Sequence, residues 1–67
     1  MTLIVNGQSQ TVPESVRTLP DLLQHLEMSG APVVVEHNRT AIPPRQQDKV
    51  RLSEGDQLEL VRITAGG

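Results

Sequence analysis

The last three residues, Ala65-Gly66-Gly67, offer the chain's best reactive group, and that group is main chain: the Gly67 carboxylate. Glycine has no Cβ and reaches conformations closed to other residues. A thin, flexible arm of this kind, with Gly66 and Ala65 as its threading tail, can enter a channel that excludes any side chain. Other chemistry finds little support. The chain has no cysteine, so it offers no disulfide framework, thiolate metal site or cysteine nucleophile. Of its two histidines, His25 falls off an apolar helical stripe and His37 ends a strand beside Glu36. Two histidines without converging ligands do not make a metal site. Serines and carboxylates are plentiful, but nothing in their spacing specifies acid–base or Ser/His/Asp catalysis. The domain therefore does not read as an enzyme.

The elements that must position this tail are legible in outline. Sixty-seven residues make one small domain, 1–67. Its apolar set is almost purely aliphatic: eight Leu, eight Val and three Ile, with no aromatic residue. Without aromatics there is no platform for stacking bases. A net charge of −2 with six scattered Lys and Arg gives no basic footprint for a phosphate backbone. Nucleic acid is thus a poor partner. No apolar run approaches the ~20 residues that span a bilayer, and Met1–Gly7 lacks the basic start and length of a signal peptide. A soluble, cytoplasmic protein, monomeric when free, is expected.

Asn6-Gly7 between two β-favouring runs predicts a hairpin over residues 2–12. Leu19, Leu22, Leu23 and Leu26 fall at i, i+3, i+4 and i+7, which predicts a helix over residues 18–28 with Thr18 as N-cap, Asp21 in the first turn and Gly30 as its stop. Val33-Val34-Val35 predicts a central strand, and Asn38-Arg39 a turn. Ala41 to Arg45 reads as an extended crossover because of its prolines, with Arg45 a possible partner contact. Residues 46–49 read as polar linker, Val50 and Leu52 as a short strand, Glu54-Gly55-Asp56 as a turn, and Gln57 to Ile63 as the last strand. If Leu58 and Leu60 face the core, Glu59, Val61 and Ile63 face the other way. That face is either a docking patch for proteins that handle the tail or an ordinary half-apolar surface. Glu54, Asp56 and Glu59 form an acidic cluster that either steers a basic partner or simply solvates a turn. The order ββ-α-β-β-β is an α+β fold, a small mixed sheet packed on one main helix.

This order, and a Gly-Gly end, resemble the ubiquitin-like β-grasp proteins. Within them the chain is most similar to the ThiS family, the sulfur carrier proteins of thiamin biosynthesis. The resemblance rests on the Asn6-Gly7 hairpin, the Leu-rich helix, a Val-rich strand ending at Asn38 and the Pro44-Arg45 pair. It continues through the Glu54 to Val61 run into Ala65-Gly66-Gly67. It implies that a ubiquitin-activating-like adenylating enzyme uses ATP to convert the Gly67 carboxylate to an acyl-adenylate. A sulfur donor such as a cysteine desulfurase would make it a thiocarboxylate, and thiazole synthase would take the sulfur. Gly-Asp with a terminal Gly-Gly is shared with the small subunit of molybdopterin synthase. Delivery to molybdopterin, conjugation to other proteins as a modifier, and an interaction module with an inert tail stay open as alternatives.

Overall fold

Asn6 and Gly7 have φ of 51° and 81°, the positive pair that a type I′ turn needs. They fold the N-terminus into a hairpin of β1 (Thr2–Val5) and β2 (Gln8–Thr11), as its sequence predicts. Asn38 and Arg39, at 51° and 70°, do the same for β3 (Val33–His37) and β4 (Thr40–Ile42). These come from a computed structural model, which describes residues 1–63. The last strand, β5 (Gln57–Arg62), slides between the hairpins, parallel to β1 and antiparallel to β3. The five strands lie in the order β2-β1-β5-β3-β4.

Period-two alternation builds the core. Leu3 and Val5, Val33 and Val35, and Leu58 and Leu60 all turn to one face of the sheet. There they meet Leu19, Leu22 and Leu23 of the helix α1 (Leu19–His25). Val12, Val16 and Leu52 complete the buried set. No polar side chain is buried among the described residues.

Helix α1 starts as its sequence predicts. Thr18 Oγ1 accepts from the Asp21 N–H at 3.3 Å while Asp21 Oδ2 accepts from the Thr18 N–H at 3.2 Å, a reciprocal capping box. Asp21 Oδ2 also accepts from the Arg17 N–H at 3.1 Å. That bond, with the contact to Thr18, holds its carboxyl below the usual range.

The end of the helix is a correction. It closes at His25 rather than at 28, because Glu27 and not Gly30 ends it, at φ 59°. The Glu27 N–H donates to Gln24 O and the Met28 N–H to Leu23 O at 2.7 Å, the paired bonds of a Schellman cap. Met28 then packs on the core, and that apolar contact together with the two bonds offsets the left-handed strain at a glutamate.

Three further expectations give way to long-range pairing. Strand β3 is interior but not central, since β5 takes the middle, and Val34 is left exposed. The fourth strand is Thr40–Ile42, not residues 50–52. Instead, the Leu19 N–H donates to Val50 O at 3.0 Å and the Leu52 N–H to Arg17 O at 2.9 Å, so 50–52 clips the entry of the helix through one bridge. Pro44 to Lys49 is a 3₁₀ helix, neither extended nor a linker. Pro43 is extended at φ −58°, ψ 149° as a residue before proline should be, and Pro44 then starts the turn because its fixed φ suits a first helical position. Gln47 Nε2 closes the segment onto Val33 O at 3.0 Å.

Leu58 is 1% exposed and lies at the centre of both sheet and core. Leu58→Ala is expected to cost about 3 kcal/mol, a large part of what so small a domain has. Urea denaturation followed by far-UV circular dichroism checks this; a loss under about 1 kcal/mol would contradict the packing described.

Candidate functional site

Strand β5 leads directly to the tail, and two asparagines fix it from opposite sides. Asn38 Oδ1 accepts from the Gln57 N–H at 2.8 Å and its own N–H donates to Gln57 O at 2.8 Å, at the start of the strand. Asn6 Oδ1 accepts from the Leu60 N–H at 2.8 Å and its Nδ2 donates to Leu60 O at 3.1 Å. Its backbone N–H donates to Leu58 O, so the side chain continues the parallel β1–β5 ladder by one more rung. Sequence reasoning assigns these residues to turns. Their second role has no local signal, because the partner strand lies 19 or 54 residues away.

Beyond the ladder, the Ile63 N–H donates to Pro32 O at 2.9 Å, and the Arg62 guanidinium donates to Glu27 O at 2.7 Å. The root of the tail is therefore tied by one main-chain and one side-chain bond to the connection between α1 and β3. Ala65, Gly66 and Gly67, the predicted threading tail and reactive carboxylate, lie outside the described residues.

The predicted docking residues divide in a definite way. Glu59, Val61 and Ile63 are all exposed, on the side away from the helix. Val61 is 58% exposed and Ile63 50%, and Val34, opposite Val61 across the ladder, is 49% exposed. These are the large apolar side chains that the described part of the molecule leaves in solvent. Beside them, Ile63, Val34, Pro32, Ile42 and Pro44 line a groove of about 240 Å³. Arg45 follows Pro44 on the 3₁₀ helix and is exposed there, on a different element from the sheet face.

The acidic cluster is not what its spacing suggests. Asp56 Oδ2 lies 2.7 Å from His37 Nε2 and accepts from the Ser53 N–H at 2.8 Å, while Oδ1 accepts from Asn38 Nδ2 at 3.2 Å. Burial pushes the Asp56 carboxyl up, but the bonds from His37, Ser53 and Asn38 outweigh it and hold the group below its ordinary value of 3.8. Glu54 Oε1 accepts from the Thr2 N–H at 3.0 Å. Both carboxylates fasten the loop before β5, and of the three only Glu59 faces outward on the sheet. His25 sits exposed on α1. Among the described residues no three His, Cys, Asp or Glu converge as metal ligands, and no helix is long and apolar enough to cross a membrane.

A mixed sheet of this kind, its last strand inserted beside the first and a helix across one face, is a ubiquitin-like β-grasp domain. The comparisons with known proteins narrow this. The model of the ThiS family matches residues 3–67. The crystal structure of a thiamine biosynthesis protein, ThiS, from Geobacter metallireducens superposes with a TM-score of 0.80 at 30% identity, covering all of both chains. A solution structure of a thiamine biosynthesis protein from that organism gives 0.80 at 29%, over all of this chain and 88% of that one. A thiazole synthase of Paramagnetospirillum magneticum is 33% identical over 67 residues, all of this chain but only 20% of that protein's length. The protein ycf40 of Trieres chinensis is 29% identical over 66 residues. The chain belongs to the ThiS family, the sulfur carriers of thiamin biosynthesis.

Asn6→Gly keeps the turn's positive φ but leaves the nearly buried Leu60 N–H and C=O without partners. It is expected to cost about 1–3 kcal/mol in chemical denaturation, and a neutral result would remove the second role given to Asn6.

Asp56 gives a pH prediction. Its folded pKa is depressed, so the bonds stabilise the domain above the unfolded value and that stability is lost as pH falls through the folded one. Melting temperatures should therefore drop below about pH 4, and Asp56→Asn should both lower the neutral-pH melting point and flatten that acid limb. Parallel acid limbs in the two proteins would contradict the assignment.

Proposed function

We propose that Gly67 is the point at which sulfur is carried. A carboxylate is a poor electrophile because it has no leaving group. In this reading a ubiquitin-activating-like adenylating enzyme supplies one: a Gly67 carboxylate oxygen attacks the α-phosphorus of ATP, pyrophosphate leaves, and an acyl-adenylate forms. Sulfide then adds to the acyl carbon and expels AMP, leaving a thiocarboxylate; where the donor is the persulfide of a cysteine desulfurase, its outer sulfur adds and expels AMP, and a thiol reductant cleaves the resulting acyl disulfide to the same thiocarboxylate. Thiazole synthase would take sulfur from it. The carrier itself binds no cofactor and catalyses nothing; ATP belongs to the partner, which also favours a cytoplasmic setting.

The observation that carries this reading is the anchoring of β5. The strand that leads to the tail is the central one of the sheet, held on both sides, so the domain acts as a rigid handle whose exposed apolar face, Val61 and Ile63 with Val34, lies at the root of the tail. Glu59 and, on the 3₁₀ helix, Arg45 complete the proposed docking surface. Kinship with a segment of a thiazole synthase supports that enzyme as the receiving partner.

Intact-mass spectrometry tests the chemistry. With an adenylating enzyme, ATP and sulfide, the chain should show an adenylate and then a mass gain equal to replacing one oxygen by sulfur. Deleting Gly67 should abolish both without changing the melting temperature. A chain that stays unmodified beside an enzyme active on its own carrier would overturn the reading. Val61→Asp, at an exposed position, should leave stability within about 0.5 kcal/mol but raise the KM for loading about tenfold or more; an unchanged KM would remove Val61 from the docking surface.

A further inference from the structure

The strand register makes an arrangement that no local spacing reveals. Glu36 of β3 lies directly opposite Glu59 of β5, and both point away from the helix. Cross-strand neighbours have their Cβ atoms about 5 Å apart, and like charges so placed destabilise a sheet. Neither carboxylate has a cationic partner among the described residues, where the ion pair present is His37 with Asp56. Beyond Glu36 the next position is Ala41 of β4, which offers no charge. Two residues along the same ladder, about 7 Å away, stand the exposed Val34 and Val61, opposite each other. The outer face thus reads as an apolar pair beside an acidic pair, with Ile63 beyond.

We propose that Glu36 and Glu59 form an acidic contact on the docking face that receives lysine or arginine side chains of the adenylating enzyme; this rests on the loading reaction proposed above. The length of the tail imposes the approach. Gly67 is four residues on from the fixed Ile63, a stretch that can span at most about 14 Å, so an enzyme that holds the Gly67 carboxylate must lie against the surface around Ile63. A standard interface covers about 800 Å² on each partner, a disc about 16 Å in radius. Glu59 is four strand residues from Ile63, about 13 Å, and so falls inside it. Two unpaired carboxylates covered by such an interface require positive charge opposite them. The apolar pair supplies burial, and the acidic pair supplies orientation and selection against partners with an acidic surface.

The test is the double variant Glu36→Gln, Glu59→Gln, which keeps shape and hydrogen-bonding capacity, assayed for loading by an adenylating enzyme active on the wild-type chain. At low ionic strength its KM is expected to rise about five- to tenfold with kcat within about twofold. Its melting temperature should stay level or rise, since a like-charge pair has been relieved. Raising the salt should raise the wild-type KM and leave that of the variant nearly flat. Equal KM values and salt slopes would overturn the acidic contact while leaving the loading reaction intact. A wild-type chain that no adenylating enzyme loads would overturn that reaction and this inference with it. Sedimentation that shows a wild-type dimer, dispersed by Val61→Asp, would assign the face to a second copy of this chain instead.

Discussion

Everything in this molecule depends on β5 lying between β1 and β3. The two hairpins share no hydrogen bonds with each other; each is joined to the sheet only through the last strand. Local turn chemistry folds each hairpin, but only β5 turns them into a five-stranded surface with a common inner face. Its inward residues, Leu58 and Leu60, are then the ones that helix and both hairpins bury together. The Asn6 and Asn38 side chains do for this strand what a longer β1 or β3 would do, by adding rungs where the neighbouring backbone has already turned away.

A carrier gains from this topology. The chemistry proposed for it lies at a main-chain terminus, and that proposal asks for no catalytic constellation in the folded part. What it must supply is a fixed point from which a short arm starts, and a surface that partners can find. The central strand of the sheet is the one that leads to the arm, and Ile63 is still bonded to Pro32 at its root. Placing the tail on an edge strand would have put its origin on the part of the sheet most free to fray.

The two faces of the sheet divide the polar and apolar roles unusually sharply. On the inner face an all-aliphatic core is closed without a buried polar side chain among the described residues. Around the loop before β5, Asp56 and Glu54 are consumed by backbone and histidine contacts. The outer face keeps what folding alone would not favour: exposed Val34, Val61 and Ile63, and two opposed glutamates. Solvent-exposed apolar groups beside the starting point of the tail fit the proposed docking of partners that cover them in turn.

Much of this was legible in the residues themselves. The Asn6-Gly7 hairpin, the Thr18 cap, the leucine stripe and the alternation of Leu58 and Leu60 depend on dihedral preferences and periodicities within a few residues. Such local terms are nearly the same in any fold. The role proposed for Gly67 likewise starts from the Gly-Gly ending of the chain. What tertiary structure decided were the choices between local options of similar energy. Glu27 rather than Gly30 ends the helix because Met28 finds the core; Val50 to Leu52 clips the helix entry instead of joining the sheet; Pro44 to Lys49 winds into a 3₁₀ turn that Gln47 ties to β3. The pairing of Glu36 with Glu59 and the grip of Asn6 on Leu60 were out of reach of sequence reading for the same reason. They are set by the register of strands more than twenty residues apart, and register follows from which hydrophobic sets can share one face, a property of the assembled sheet and of no single segment.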